Sequence, residues 1–81
     1  MNINKAVLDI LFEEEAKVKA QIQQEEDTEK KEGLEQTVTF IQDVITVFLI
    51  GTPKEKENAL KDFTSIPVIQ KCYDIYMGEL A

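Results

Sequence analysis

The side chains in this chain that could do chemistry are carboxylates, lysines and one thiol. There is no His, Arg or Trp among the 81 residues. Without His, the commonest general base and metal ligand is missing. Cys72 is the one possible thiol nucleophile, and nothing of the right type is present to activate it. Cys72 therefore reads as a small buried hydrophobe. Glu13, Glu14 and Glu15 form a carboxylate run, but on a helix consecutive residues point in different directions, so they do not make an acid–base pair. Glu14 falls close to an apolar stripe, between Leu11 and Val18. It is either a boundary glutamate that reaches solvent or a buried carboxylate with a raised pKa. A di-metal helical bundle needs Glu-x-x-His motifs, and the sequence has none.

A second acidic group, Glu25, Glu26, Asp27, Glu29 and Glu32, lacks the spacing and the central glycine of a calcium loop. With lysines interleaved it reads as a solvated helical face. The functional alternative is a docking surface for a basic partner segment. Gly51, Thr52, Pro53 and Lys54 lack the frame of a phosphate loop. No catalytic set, cofactor site or metal site is expected, and the chain reads as a non-enzyme.

Charge narrows the partners. Acidic residues number 16 against 9 lysines, for a net charge of −7. An acidic chain repels a polyanion, and without Arg it lacks the fork that recognises phosphates and base edges. Direct nucleic-acid binding is not expected. One cysteine cannot close an intramolecular disulfide, which fits a reducing cytoplasmic setting. No basic segment precedes an apolar one at the start, so no signal peptide is read, and neither end carries a lipidation motif.

These residues must be positioned by helices. Residues 34–50, LEQTVTFIQDVITVFLI, organise the rest. Leu34, Val38, Ile41, Ile45 and Phe48 recur at helical spacing, and Phe40, Val44 and Val47 make a second stripe beside them. That arc is wide enough to touch more than one neighbour. Glu35, Thr39, Gln42, Asp43 and Thr46 fall opposite. The segment is rich in Val, Ile and Thr, which favour strands. Its length and its broken alternation decide for helix. With Gln42 and Asp43 inside it, it is too short to cross a bilayer, which takes about 20 mostly apolar residues.

Before it, Asn2 or Asn4 can cap a helix starting near Lys5. Its stripe is Ile3, Val7, Ile10 or Leu11, Val18 and Ile22. The pairs Glu13–Lys17, Glu15–Lys19, Glu26–Lys30 and Asp27–Lys31 have the favourable order and spacing. We take this helix to run to Glu32, with Lys30 and Lys31 in its last turn and Gly33 just past its end. The alternative ends it near Gln24, starts the next near Asp27 or Thr28, and leaves Gly33 inside a helix. After residue 50, Gly51 ends the second helix, Thr52 caps a third, Pro53 takes its first position, and Glu55 completes a capping box. That short helix runs through Phe63, with Ala59, Leu60 and Phe63 inward. Ser65 caps a last helix over 67–77, which carries Ile69, Cys72, Tyr73 and Tyr76 on one side and is closed by Gly78. The expected architecture is one all-α domain over 1–81: a long antiparallel helical hairpin plus two short C-terminal helices, a small helical bundle.

A core of this size stabilises only marginally, and the chain has more apolar helix surface than a two-helix hairpin can bury. We therefore expect a small acidic regulator that binds another protein. Tyr73, Tyr76, Met77 and Leu80 read first as core packing and alternatively as partner contacts, and Phe12 carries the same ambiguity; these five are its candidate partner contacts. Two other readings stand beside it: a DNA mimic inhibiting a nucleic-acid-binding protein, and a self-associating structural module that forms a homo-oligomer. Lysines interrupt the carboxylate rows that a mimic needs.

The arginine-free, lysine-rich acidic composition and residues 59–70, ALKDFTSIPVIQ, resemble the cytoplasmic lysis-inhibition accessory proteins of T-even phages. The resemblance implies an antiholin that binds the cytosolic segment of a holin and delays lysis, with no catalysis and no membrane span. It maps no functional residue onto this chain.

Overall fold

A computed structural model describes residues 2–80, and their side chains as far as Gly78. Four helices follow one another: α1 (Ile3–Gln24), α2 (Thr28–Ile50), α3 (Pro53–Asp62) and α4 (Pro67–Leu80). No strand occurs among the described residues. Helix α1 packs against α2 and α4, and α3 packs against α2 and α4.

Each helix begins where the sequence supplies an acceptor or a proline. The Asn2 Oδ1 accepts from the Lys5 amide at 3.2 Å and opens α1. Thr52 and Glu55 form the expected box. The Glu55 amide donates to the Thr52 hydroxyl at 3.2 Å, and the Thr52 amide donates to the Glu55 carboxylate at 2.9 Å. Pro53 takes the first turn, where its missing N–H is no loss. In α4, Pro67 again occupies the first helical position. The expected Ser65 cap is not what starts this helix: its first turn closes on the Ile66 carbonyl, which accepts from the Ile69 and Gln70 amides. Helix α4 also continues through Gly78 to Leu80 rather than closing at Gly78.

The boundary between α1 and α2 corrects the preferred reading. Helix α1 stops at Gln24, and Gly33 lies inside α2. The break comes from the carboxylates themselves. Glu25 and Asp27 are extended, and the Glu25 side chain accepts from the Asp27 amide at 3.1 Å. Asp27 then caps α2, its Oδ1 accepting from the Glu29 and Lys30 amides at 2.9 and 3.3 Å. A cap of this kind contributes about 1 kcal/mol, which offsets the cost of about 1 kcal/mol for a glycine in mid-helix. The break also yields helices of 22 and 23 residues, matched in length at about 33–35 Å for a rise of 1.5 Å per residue. Lys30 and Lys31 therefore sit in the first turn of α2, the unfavourable end for positive charge, not in the last turn of α1. Of the four expected ion pairs, Glu15–Lys19 forms, at 3.7 Å. Lys5–Asp9, at 2.9 Å, is an additional one. Both are single-turn pairs, Lys5–Asp9 fully in solvent and Glu15–Lys19 with its glutamate half-buried, and they contribute little.

The core follows the expected stripes. Val7 and Leu11 of α1, Ile41, Val44, Ile45 and Phe48 of α2, Leu60 of α3, and Ile69, Cys72 and Tyr76 of α4 form one buried cluster. Phe40 of α2 stacks on Phe63 at 4.8 Å, so α2 meets a second neighbour as its wide arc required. Glu35, Thr39, Gln42, Asp43 and Thr46 are all exposed. The hydroxyls of Thr37, Thr39 and Thr46 donate to carbonyls one turn back, at 3.0–3.1 Å, satisfying themselves along the helix.

Candidate functional site

The predicted contact residues separate into different environments. Tyr76 is 3% exposed. Its ring meets Phe48 edge to face at 5.5 Å, and its hydroxyl makes a long hydrogen bond to the Pro53 carbonyl at 3.5 Å. It is a core residue that ties α4 to α2 and to the start of α3. Tyr73 and Met77 are half-buried and pack against the same cluster. The Leu80 side chain lies outside the described residues. Phe12 is 46% exposed on α1 and is free to meet a partner.

Two further apolar side chains stand in solvent. Leu49 is 61% and Ile50 83% exposed, at the end of α2. The sequence held a signal for them. Neither belongs to the two stripes that α2 buries, so both had to leave the core. They sit just before the Gly51 turn. The Gly51 amide donates back to the Val47 carbonyl, and a Cβ at Gly51 would come within 2.6 Å of that oxygen. Glycine is thus needed for close approach of the backbone, although its φ of −87° is ordinary.

Helices α1 and α4 leave an open groove of about 430 Å³ between them, lined by residues including Ile10, Glu13, Glu14, Lys17, Val68 and Lys71. Its charges are of both signs. Glu14 is half-exposed here, the boundary position of the two considered for it. Within the acidic group at residues 25–32, Glu25 and Asp27 shape the break between helices.

Cys72 is fully buried. Burial pushes its thiol up to about 11, against a smaller downward pull from Lys71. A thiol held protonated in the core is a poor nucleophile. Among the described residues, no three Asp, Glu or Cys side chains converge to hold a metal ion.

Helix α2 is also longer than the 17 residues read from the sequence. At 23 residues, with a mean hydropathy of 1.3 over its most apolar 18, it is long and apolar enough to cross a membrane by length and composition. Length therefore does not count against a span. Five of its residues, Val38, Ile41, Val44, Ile45 and Phe48, are buried against the other helices.

No protein-family model, curated protein or solved structure matches this chain.

Proposed function

We propose that this chain is a small acidic regulator that acts by docking on another protein. The observation that supports it is the exposure of Phe12, Leu49 and Ile50 on helices whose other large apolar residues are buried or half-buried. Large apolar side chains held in water cost free energy that a docked partner recovers, at about 25 cal/mol per Å² covered. In this reading α1 and α2 form a long antiparallel hairpin, α3 and α4 are the short pair that covers part of it, and the exposed residues are what remains for a partner. The resemblance to T-even phage lysis-inhibition proteins gives the proposal a concrete form: a cytoplasmic antiholin that binds the cytosolic segment of a holin. That role requires neither catalysis nor a cofactor. It requires no membrane crossing.

The same exposed side chains favour self-association as a second reading. Light scattering across a hundredfold concentration range, followed by titration with a holin cytosolic segment, separates the two. A monomer that binds the segment, and loses binding in Phe12→Ser and Ile50→Ser variants of unchanged helicity, supports the regulator. A constant dimer with no affinity for the segment overturns it in favour of self-association.

A further inference from the structure

The C-terminal part of helix α2 is built from residues that prefer another conformation. Its last seven residues are Val44, Ile45, Thr46, Val47, Phe48, Leu49 and Ile50. Six of these are β-branched or aromatic, none is charged, and none is Gly or Pro. That is the composition of a segment that pairs with itself in a cross-β stack. Isolated, such a sequence gains little from helix, because β-branched side chains lose rotamer freedom there. What holds it helical is packing: Val44, Ile45 and Phe48 are buried in the common core, which α1, α3 and α4 complete. The flanks are guarded, by Asp43 on one side and by Gly51, Pro53 and Lys54 on the other. The interior is not. Thr46, Leu49 and Ile50 already face solvent in the folded chain and carry no charge.

We propose that residues 44–50 are a latent strand, which pairs with the same segment of a second copy when the helices covering α2 open. This pairing is independent of docking, because it belongs to the opened chain rather than to its folded surface. Opening exposes a continuous uncharged, mostly apolar run with unpaired backbone groups. A second copy supplies both the hydrogen bonds and the interdigitating side chains. Lysine at an exposed position should block the pairing without harming the fold. Thr46 and Leu49 are such positions, near the C-terminal end of α2 where positive charge suits the helix dipole.

The test uses the full chain, agitated at 37 °C in urea that partly unfolds it. Assembly is followed by thioflavin fluorescence, the product by fibre diffraction, and its core by proteolysis with mass spectrometry. The expected result is a spacing of about 4.7 Å and a resistant core containing residues 44–50. Thr46→Lys/Leu49→Lys, compared at a urea concentration giving the same unfolded fraction, should lengthen the lag by about tenfold or more. If the double variant does not fold, Thr46→Lys alone carries the comparison. Absence of any cross-β assembly, a core elsewhere in the chain, or an unchanged lag in the lysine variants overturns the proposal.

Discussion

The rings of Phe48 and Tyr76 meet edge to face with centroids 5.5 Å apart, and through this contact the last helix, which packs mainly on α1 and α3, also touches the longest one. The Lys56 ammonium lies 5.8 Å from the centre of the Phe48 ring, so α3 closes over the same pair. Three helices thus converge on one aromatic contact. Tyr76→Ala should cost about 3–5 kcal/mol, the range for removing a buried aromatic. In a domain this small that leaves little or no folded protein at room temperature. Tyr76→Phe keeps the ring and loses the long bond to the Pro53 carbonyl, and should cost at most about 1 kcal/mol. Urea unfolding of both variants checks this. Equal losses would mean that the hydroxyl, and not the ring, holds the helices together.

The glycine inside α2 and the one just past its end should respond in opposite directions. Gly33 lies in a helix interior, and a Cβ built there meets nothing within 4 Å. Gly33→Ala should therefore raise stability by up to about 1 kcal/mol, through helix propensity and a less free unfolded chain. At Gly51 the added carbon would press on the Val47 carbonyl, so Gly51→Ala should lower stability. The urea midpoints of the two variants should move apart on either side of the parent. A Gly33→Ala variant less stable than the parent would place the start of α2 beyond Gly33.

Much of this architecture could be read from the residues, and the exceptions have causes. The capping box at Thr52 and Glu55 is a local signal that no tertiary contact competes with, and it stands as read. The stripes of α2 are strong because they repeat over several turns. Gly33 was ambiguous because glycine marks helix ends in sequence, yet Asp27 offers a cap that lets the chain pass through it. Tyr76 reads first as core, with contact as the alternative, since a tyrosine has an apolar body and a polar tip. Only the position of Phe48 and of the Pro53 carbonyl decides for the core. Leu49 and Ile50 were legible in principle, as apolar residues outside both buried stripes, but their exposure depends on where α3 turns away.

Acid should loosen the start of α3. Glu55 is held below its ordinary value of 4.5, chiefly by its bond from the Thr52 amide and next by that from the Thr52 hydroxyl. A carboxyl depressed in the folded state adds stability that is present above 4.5 and is lost as pH falls through its lower folded value. Protonation below that range removes the reciprocal half of the box. Thr52→Ala should lower stability at neutral pH by about 1 kcal/mol. It should also flatten the decline on acidification, because it raises the folded value toward 4.5. Stability measured across the acid range in parent and variant tests this. Parallel acid limbs would show that Glu55 contributes nothing to the pH dependence.

The thiol of Cys72 reports on opening of the core. It is fully buried beside Ile69 and Tyr76 in the common cluster, and its value of about 11 leaves almost no thiolate near neutrality. Reaction with a disulfide reagent must therefore pass through a conformation in which α4 has lifted. Under mildly alkaline conditions the native chain should react about a hundredfold or more slowly than the chain in urea, the ratio reflecting the free energy of that opening. Tyr76→Phe should change the ratio little, whereas Tyr76→Ala should abolish the difference. Fast labelling of the parent would mean that α4 detaches readily, and the Phe48–Tyr76 contact could not then be what secures it. Cys72→Ala should be tolerated better than Cys72→Ser, because the hydroxyl would need a partner in an apolar cluster, a cost of about 1–3 kcal/mol when none is found.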